Sequence, residues 1–207
     1  MTEKTAQKEP GKKPVPSKKP KPQQEVVVQI PLSELHPFPD HPFQVREDAS
    51  MQETAESVKE YGVLVPALAR PREDGGYELI AGHRRKHACE LTGLATMPVI
   101  VRDIDRDAAT IIMVDSNLQR ENILPSERAK AYKMKMEAIK RQGARTDLTS
   151  PKISAKFRSD DEVGQDAGVS GDTIRNYIAL TQLVPELQQM VDEKKIALSP
   201  AYQLAAL

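Results

Sequence analysis

A glycine followed by charged side chains is the first stretch of this sequence that could carry chemistry. Residues 82–88 read GHRRKHA, directly after an apolar run and directly before a helical pattern. The first amides of a helix lack intrahelical partners and, together with the helix dipole, favour an anion. Gly82 lets a phosphate approach the backbone closely, and Arg84 and Arg85 would add forked donors that suit phosphate oxygens.

The same residues also have a plainer interpretation, in which Arg84 and Arg85 form a solvated face or pair with nearby acids. His83 and His87 lie four apart, which is a metal-ligand spacing on a helix. Zinc needs three or four protein ligands, and no third ligand is near in the sequence. We therefore do not predict zinc, and the choice between an anion site and a charged surface stays open at this point.

The segment DSNLQREN, residues 115–122, closes a predicted helix. Ser116, Asn117 and Arg120 fall on one helix face, where hard oxygen ligands and a cation would suit a magnesium-bound phosphate. The alternative is ordinary helix C-terminal chemistry, in which Asn117 and Arg120 satisfy free carbonyls. Both interpretations remain open from these residues alone.

Residues 161–183, DEVGQDAGVSGDTIRNYIALTQL, predict a short helix, a turn and a second helix. This order is typical of a helix-turn-helix, whose second helix enters the DNA major groove. The candidate base-reading residues are those exposed early in that helix: Ser170, Asp172, Thr173, Arg175 and Asn176.

Charge around this motif is unfavourable for DNA, because residues 156–180 hold three basic and five acidic side chains. Residues 126–145 hold seven basic and two acidic side chains. Lys133 and Lys140 are seven apart on one face of that predicted helix, so we expect them to contact the phosphate backbone.

Composition limits the class of protein. The 207 residues are 39% hydrophobic and 4% aromatic, without Trp, so the core must be aliphatic. The single cysteine, Cys89, excludes an internal disulfide and a multi-cysteine metal site. Neither a signal peptide nor a membrane-length apolar run is visible, which predicts a soluble cytoplasmic protein without a membrane partner.

Hydrophobic patterning predicts a small α+β unit over residues 25–104. Strands are predicted in EVVVQIPLSEL, LVPALARP, GYELIAG and MPVIVRDI, and the proline-rich segment HPFPDHPFQVRED is predicted as a loop. A helix is expected to begin with a capping box of Ser50 and Glu53 and to end at Gly62.

From Asp105 onward the period becomes helical. We expect a helix ending near Pro125, a second from Pro125 to Gly143, a connecting loop over residues 144–159, the helix-turn-helix, and two more short helices. Residues 1–24 carry seven lysines, two glutamates and five prolines, which predicts a disordered basic tail. That tail is either a solubilising leader or a partner-binding segment.

Four stretches, in this order, together resemble the ParB partition and nucleoid-occlusion family: HPFQVRED, LIAGHRRKHACELTGLATMPVIV, SNLQRENILPSERA and the helix-turn-helix. The resemblance covers roughly residues 26–207, and the sequence is similar to the ParB proteins of plasmids or mobile elements. It implies an α+β N-terminal ParB/sulfiredoxin-like domain followed by an all-α helix-turn-helix domain. The expected boundaries are 1–24 for the tail, 25–120 for the nucleotide-binding domain and 121–207 for the DNA-binding domain, and we expect the family's C-terminal dimerisation domain to be absent from this sequence.

The resemblance also implies a function. Family members bind and slowly hydrolyse CTP with Mg²⁺, bind double-stranded DNA at a centromere-like site, and load there as a sliding clamp for chromosome or plasmid partition. It further implies self-association of the N-terminal domain, contact of the tail with a ParA-type ATPase, and a nucleoid-associated location.

Carried over residue by residue, the family pattern assigns nucleotide binding to Gln44, Arg46, Gly82, His83, Arg84, Arg85, Ser116, Asn117 and Arg120, with Asn117 also at the magnesium position. Val45 replaces a usual proline, which is a minor departure. Ser116 stands where chromosomal members usually carry a glutamate implicated in hydrolysis. A hydroxyl is a poor general base unless it is activated, so the sequence supports CTP binding better than CTP hydrolysis.

Three other functions compete with this one. Sulfiredoxin shares the fold but has a cysteine where this chain has Gly82, so redox repair is excluded. A ParB-like nuclease would need a carboxylate cluster for two metals, and we find none in the sequence. A transcription regulator that lost the nucleotide would bind DNA regardless of CTP, and the retained Arg84, Arg85 and Asn117 argue against it.

Overall fold

A five-stranded mixed sheet forms the centre of the N-terminal half. The computed structural model describes residues 25–120, 122–147 and 159–206. The strands are β1 Val27–Pro31, β2 Leu35–Pro37, β3 Ala67–Pro71, β4 Tyr77–Ala81 and β5 Thr96–Val101. Their order is β1-β5-β3-β4-β2, with β1–β5 and β3–β4 antiparallel and β3–β5 and β2–β4 parallel.

Helices cover both faces of this sheet. They are α1 Ala49–Tyr61, α2 His83–Thr92 and α3 Arg106–Leu118, followed by α4 Pro125–Asp147. Adjacent residues of β4 point to opposite faces: Leu79 packs in a cluster with Met51 of α1, and Ile80 packs in a second cluster with Met113 of α3. The predicted α+β unit and its neighbouring β3 and β4 are confirmed.

The C-terminal half is helical. After α4 come α5 Ser159–Ala167, α6 Gly171–Ala179, α7 Pro185–Asp192 and α8 Leu198–Leu204. Tyr132 of α4 packs with Val163 of α5 and Ile174 of α6, so α4 supports the helix-turn-helix. The motif is tight, because a Cβ on Gly164 would lie 2.6 Å from the Val169 carbonyl oxygen. The predicted helix-turn-helix and the two helices after it are confirmed.

Several predicted boundaries were wrong. Helix α1 is capped by Asp48, whose carboxylate accepts from the Met51 amide at 2.9 Å, and Ser50 is not the cap. A carboxylate caps at least as well as a hydroxyl, so the helix begins earlier than predicted. Gly62 does end α1, with a positive φ of 69°.

The proline-rich segment begins with a strand rather than a loop, since Leu35–Pro37 pairs with β4. Proline is tolerated there because β2 is an edge strand. Helix α3 stops at Leu118, well before Pro125, and α4 continues past Gly143 to Asp147. One exposed glycine costs a long helix only about 1 kcal/mol, so Gly143 does not end it.

The predicted basic tail, residues 1–24, lies outside the described residues, as do residues 148–158 of the predicted connecting loop. Within the described ranges, no helix is both long and apolar enough to cross a membrane.

Candidate functional site

The strand-to-helix turn at Gly82 forms one wall of the candidate site. Gly82 has a φ of 107°, and a Cβ there would lie 2.9 Å from the Ala67 Cβ. Both the left-handed backbone and the close approach of β3 therefore require glycine. Gly82 also directly precedes the first residue of α2, so the amides without intrahelical partners at the start of that helix lie beside Gly82.

The two arginines of the turn are held in different ways. Arg84 donates to Ser50 Oγ at 3.0 Å and lies 3.8 Å from Asp48 Oδ1. Arg85 donates to the Pro66 carbonyl oxygen at 2.7 Å and also to that of Val65. Arg84 therefore fits the ion-pair alternative in part, and Arg85 fixes the loop that leads into β3.

The end of α3 forms a second wall. Ser116 Oγ donates to the Met113 carbonyl at 2.9 Å, and Asn117 Nδ2 donates to the same carbonyl at 2.8 Å. Arg120 donates to Asn117 Oδ1 at 3.3 Å. Asn117 therefore fits the helix C-terminal alternative, whereas Arg120 does not, because it donates to a side-chain oxygen. The contacts also place a hydroxyl, an amide oxygen and a guanidinium side by side.

The structure brings together the nine predicted nucleotide-binding residues. Two adjoining cavities of about 220 and 310 Å³ share Phe43, Gln44, Arg84 and Arg120 as lining residues. The other predicted residues around them are Arg46, Gly82, His83, Arg85, Ser116 and Asn117. Segments that are distant in the sequence thus meet at one site.

A pair of histidines lies against this site. The rings of His41 and His83 are 4.0 Å apart, and His41 Nδ1 lies 2.7 Å from the Phe43 carbonyl oxygen. Burial lowers the pKa of His83 to about 3, with nearby His41 and Lys86 adding to the effect. Both Nε2 atoms are buried and have no hydrogen-bond partner within the described part of the chain. Buried polar atoms without a hydrogen-bond partner at a cavity are suited to bind a ligand there.

Glu127 is a buried carboxylate that the sequence analysis missed. Its Oε1 accepts from the Gln44 amide at 3.1 Å and from Arg46 Nη2 at 3.4 Å, and its Oε2 accepts from the Leu124 amide at 3.2 Å. It therefore ties the loop after β2 to the first turn of α4. Its position in the first turn of a predicted helix could have indicated this role, because an acidic side chain there interacts favourably with the free backbone amides.

The candidate DNA-reading residues lie together at the start of α6. Ser170 caps this helix, and its Oγ accepts from the Thr173 amide at 3.2 Å. Arg175 is half-exposed and forms ion pairs with Asp172 and with Asp160 of α5. Asn176 follows on the exposed side of the helix.

Helix α4 presents part of the predicted basic surface. Lys133 and Lys140 are exposed, as the prediction for phosphate contacts requires. Lys135, counted with them as a basic residue, is instead buried and ion-paired. The exposed positive charge of α4 is therefore smaller than its sequence suggests.

Comparison with known proteins identifies the family. Residues 16–118 match the family model described as ParB N-terminal domain. Over 87% of its length the chain is 35% identical to the chromosome-partitioning protein Spo0J of Thermus thermophilus, and over 89% it is 30% identical to the stage 0 sporulation protein J of Bacillus subtilis. The chain belongs to the ParB family.

A solved ParB structure shows that the likeness extends beyond the N-terminal domain. The C-terminally truncated ParB of Caulobacter crescentus, complexed to the centromeric parS site, matches 86% of this chain with a TM-score of 0.55 and 26% identity. The match covers 84% of that truncated ParB. Against its full-length ParB-family relatives the chain is short, since it spans 60% of the Thermus protein and 59% of the Bacillus protein.

Proposed function

We propose that this chain binds CTP at the cavities between α2, α3 and the loop after β2, and that it binds duplex DNA in chromosome or plasmid partition. One observation carries the nucleotide assignment: nine residues chosen from the sequence meet around two adjoining cavities. The DNA assignment is supported by the similarity to a ParB bound to its parS site.

The residues fit a triphosphate. Gly82 gives a phosphate access to the amides of α2, and Arg46, Arg84 and Arg120 surround the cavities with positive charge. The unpaired Nε2 atoms of His41 and His83 offer further hydrogen bonds. The bound triphosphate would supply the negative charge that joins these separate elements.

The end of α3 offers magnesium two neutral oxygen atoms, Asn117 Oδ1 and Ser116 Oγ. Asn117 Oδ1 accepts a hydrogen bond from Arg120 and has a second lone pair for the ion, and a phosphate is a natural further partner for Arg120. Across the described residues, no group of three or more His, Cys, Asp or Glu side chains could hold a metal. Phosphate oxygens and water would therefore supply most of the metal ligands, as is usual for magnesium at nucleotide sites.

Binding of CTP is better supported than its hydrolysis. The Ser116 hydroxyl donates to the Met113 carbonyl and lies 3.3 Å from Asn117 Nδ2. No base is shown to activate it, and a hydroxyl without such a base does not accept a proton readily. We propose that hydrolysis, where it occurs, is slow, and that the bound nucleotide controls a sliding clamp formed by self-association.

Calorimetry with CTP, ATP, GTP and UTP in the presence of magnesium tests the nucleotide assignment. We expect CTP to bind most tightly and Arg84→Ala to weaken it by at least about tenfold, because a charge-assisted phosphate contact is lost. Arg72→Ala is the control, since Arg72 pairs with Asp74 at 3.8 Å away from both cavities. Equal binding of all four nucleotides, or no binding of CTP, would overturn the assignment.

Fluorescence anisotropy on parS-like and scrambled duplexes tests the DNA assignment. We expect preference for the parS-like duplex and a response to CTP. Specific DNA binding that is indifferent to CTP would favour the transcription-regulator alternative instead.

A further inference from the structure

Lys135 is a fully buried cation in the middle of α4. Its side chain is 1% exposed, and a lysine is almost never buried to this extent unless its charge is paired. Its Nζ donates to Asp115 Oδ1 at 2.7 Å and to Asp166 Oδ2 at 2.9 Å. Burial by itself would lower the pKa of Lys135, but the hydrogen bonds to the two carboxylates outweigh this and raise it.

The two carboxylates belong to different functional regions. Asp115 is in the last turn of α3, immediately before Ser116 and Asn117 at the nucleotide cavity. Asp166 is next to the last residue of α5, the first helix of the helix-turn-helix. One ammonium group on α4 therefore fixes the ends of both helices at once.

Apolar packing follows the same route. Leu118, the last residue of α3, contacts the cluster that contains Met113 and Phe43. It also contacts the cluster of Tyr132, Val163 and Ile174, which includes both helices of the helix-turn-helix. The end of α3 is thus joined to the DNA-binding unit by a side-chain contact as well as by charge.

Stability alone is a weak reason for this arrangement. Replacing a buried ion pair by apolar side chains is often neutral or stabilising, whereas leaving one buried charge without its partner is strongly destabilising. A buried ammonium held by two carboxylates therefore tolerates few relative positions of the three charged groups. It is suited to fixing orientation rather than to adding stability.

We propose that Lys135 is a positioning residue that couples the nucleotide cavity to the helix-turn-helix. The inference rests on the proposed function, because it needs both a nucleotide and a DNA ligand. A triphosphate that draws the end of α3 toward itself displaces Asp115, and Lys135 and Asp166 must follow to keep the buried charge paired. By thermodynamic linkage, DNA bound to α6 must affect nucleotide affinity by the same factor.

The test is the coupling factor, defined as the ratio of CTP dissociation constants without and with a saturating DNA duplex. We expect a change of at least about fivefold in the wild-type chain, in either direction, which is the lower range of allosteric coupling. Lys135→Met keeps an unbranched side chain that is one atom shorter and removes the charge, and it should reduce the factor to less than about twofold. Lys195→Met is the matched control, because Lys195 is an exposed lysine paired with Glu193.

Asp166→Asn provides a second variant, since the Asp166 side chain is 57% exposed and the change should leave the fold intact. Hydrogen exchange of residues 159–180 with and without CTP and magnesium reports coupling without DNA. We expect CTP to change exchange there in the wild type and in Lys195→Met but not in Lys135→Met or Asp166→Asn. A purely structural role would lower protection in the variants and leave the CTP-dependent change intact.

The outcomes separate this inference from the proposed function. A wild-type chain that binds both ligands without coupling, or variants that keep full coupling, overturns the role of Lys135 and leaves the proposed function standing. A wild-type chain that binds no CTP or no DNA overturns both.

Discussion

Glu127 holds Arg46, with Oε1 of the carboxylate 3.4 Å from Nη2 of the guanidinium. The carboxylate belongs to the first turn of α4 and is nearly buried, while the arginine lies on the loop after β2 and is 42% exposed. Arg46, one of the predicted nucleotide-binding residues, is thus already paired with an acid from the helical half. An incoming triphosphate must compete with that acid.

Glu127→Gln should therefore tighten CTP binding by about threefold, because a partly exposed ion pair of this kind is worth up to about 1 kcal/mol. The single amide oxygen of glutamine can keep one of the two backbone hydrogen bonds, which Glu127 accepts on different oxygens, so urea unfolding of the variant is measured beside its CTP affinity. Calorimetry measures the change. Glu137→Gln, which alters an acid near Arg141 on the same helix, should leave CTP affinity unchanged. Equal or weaker CTP binding by Glu127→Gln would contradict this competition.

The lowered pKa of His83 leads to a prediction that the stability of the fold depends on pH. Its pKa is lowered to about 3 by burial, whereas the unfolded chain has the ordinary value of 6.5. Between these values the unfolded state binds more protons, so stability is complete above pH 6.5 and is lost as the pH falls toward 3. The loss should approach about 1.4 kcal/mol per pH unit for this one proton.

Urea unfolding at pH 5 and pH 7.5 measures this effect. His83→Gln removes the titrating group, so its stability should fall less than that of the wild type over the same interval. Carboxylates contribute equally to both proteins and cancel in the comparison. If the two proteins lose the same stability, the imidazole of His83 is not the group that resists protonation.

Local signals in the sequence predicted much of the candidate site. The Gly82 turn is recognisable because a strand period changes to a helix period at a glycine, and the structure gives that glycine a positive φ. The helix-turn-helix is recognisable from a different local signal, a short turn that contains two glycines between two helical patterns. Both depend on neighbours in the sequence.

Contacts between distant residues were not predictable in this way. Glu127 and Arg46 are 81 positions apart, and no period or spacing connects them. Lys135 and Lys133 look alike in sequence, but only the packing of α3 and α5 on α4 decides that Lys135 is buried and Lys133 is exposed. The capping error at Ser50 is different in kind, because two good capping residues stand close together and the structure uses Asp48.

Residues 1–24 give a prediction that does not depend on the described structure. The segment carries seven lysines and five prolines, and the ParB resemblance implies that it contacts a ParA-type ATPase. Deletion of residues 1–24 should leave CTP and DNA binding intact and remove stimulation of the cognate ParA-type ATPase. ATP hydrolysis by that ATPase, measured with DNA and either form of the protein, checks this. Normal stimulation by the shortened protein would make the tail a solubilising leader.

Arg175 predicts the sequence preference of the DNA-binding half. It is the long cation at the start of α6, and Asp160 and Asp172 hold its guanidinium in place. A guanidinium has five N–H donors, so others remain for a base edge. Arg175→Ala should cost about 1–3 kcal/mol on the specific duplex and much less on a scrambled one. Anisotropy on both duplexes measures the difference, and an equal loss on both would show that Arg175 does not read bases.

Lys133 predicts the salt dependence of the same interaction. Its side chain is exposed on α4, as is that of Lys140. A lysine that contacts a phosphate releases a counterion on binding, so its removal should weaken specific and scrambled duplexes alike. Lys133→Ala should also reduce the slope of log affinity against log salt by about 0.9, the value for one phosphate contact on duplex DNA. A salt series with both duplexes measures this slope, with Lys195→Ala as the control, because Lys195 is an exposed lysine in the turn after α7. An unchanged slope in Lys133→Ala, together with an equal loss on both duplexes in Arg175→Ala, would contradict both assignments. Other helices would then contact the phosphates and bases, and α5 and α6 would serve to hold the fold.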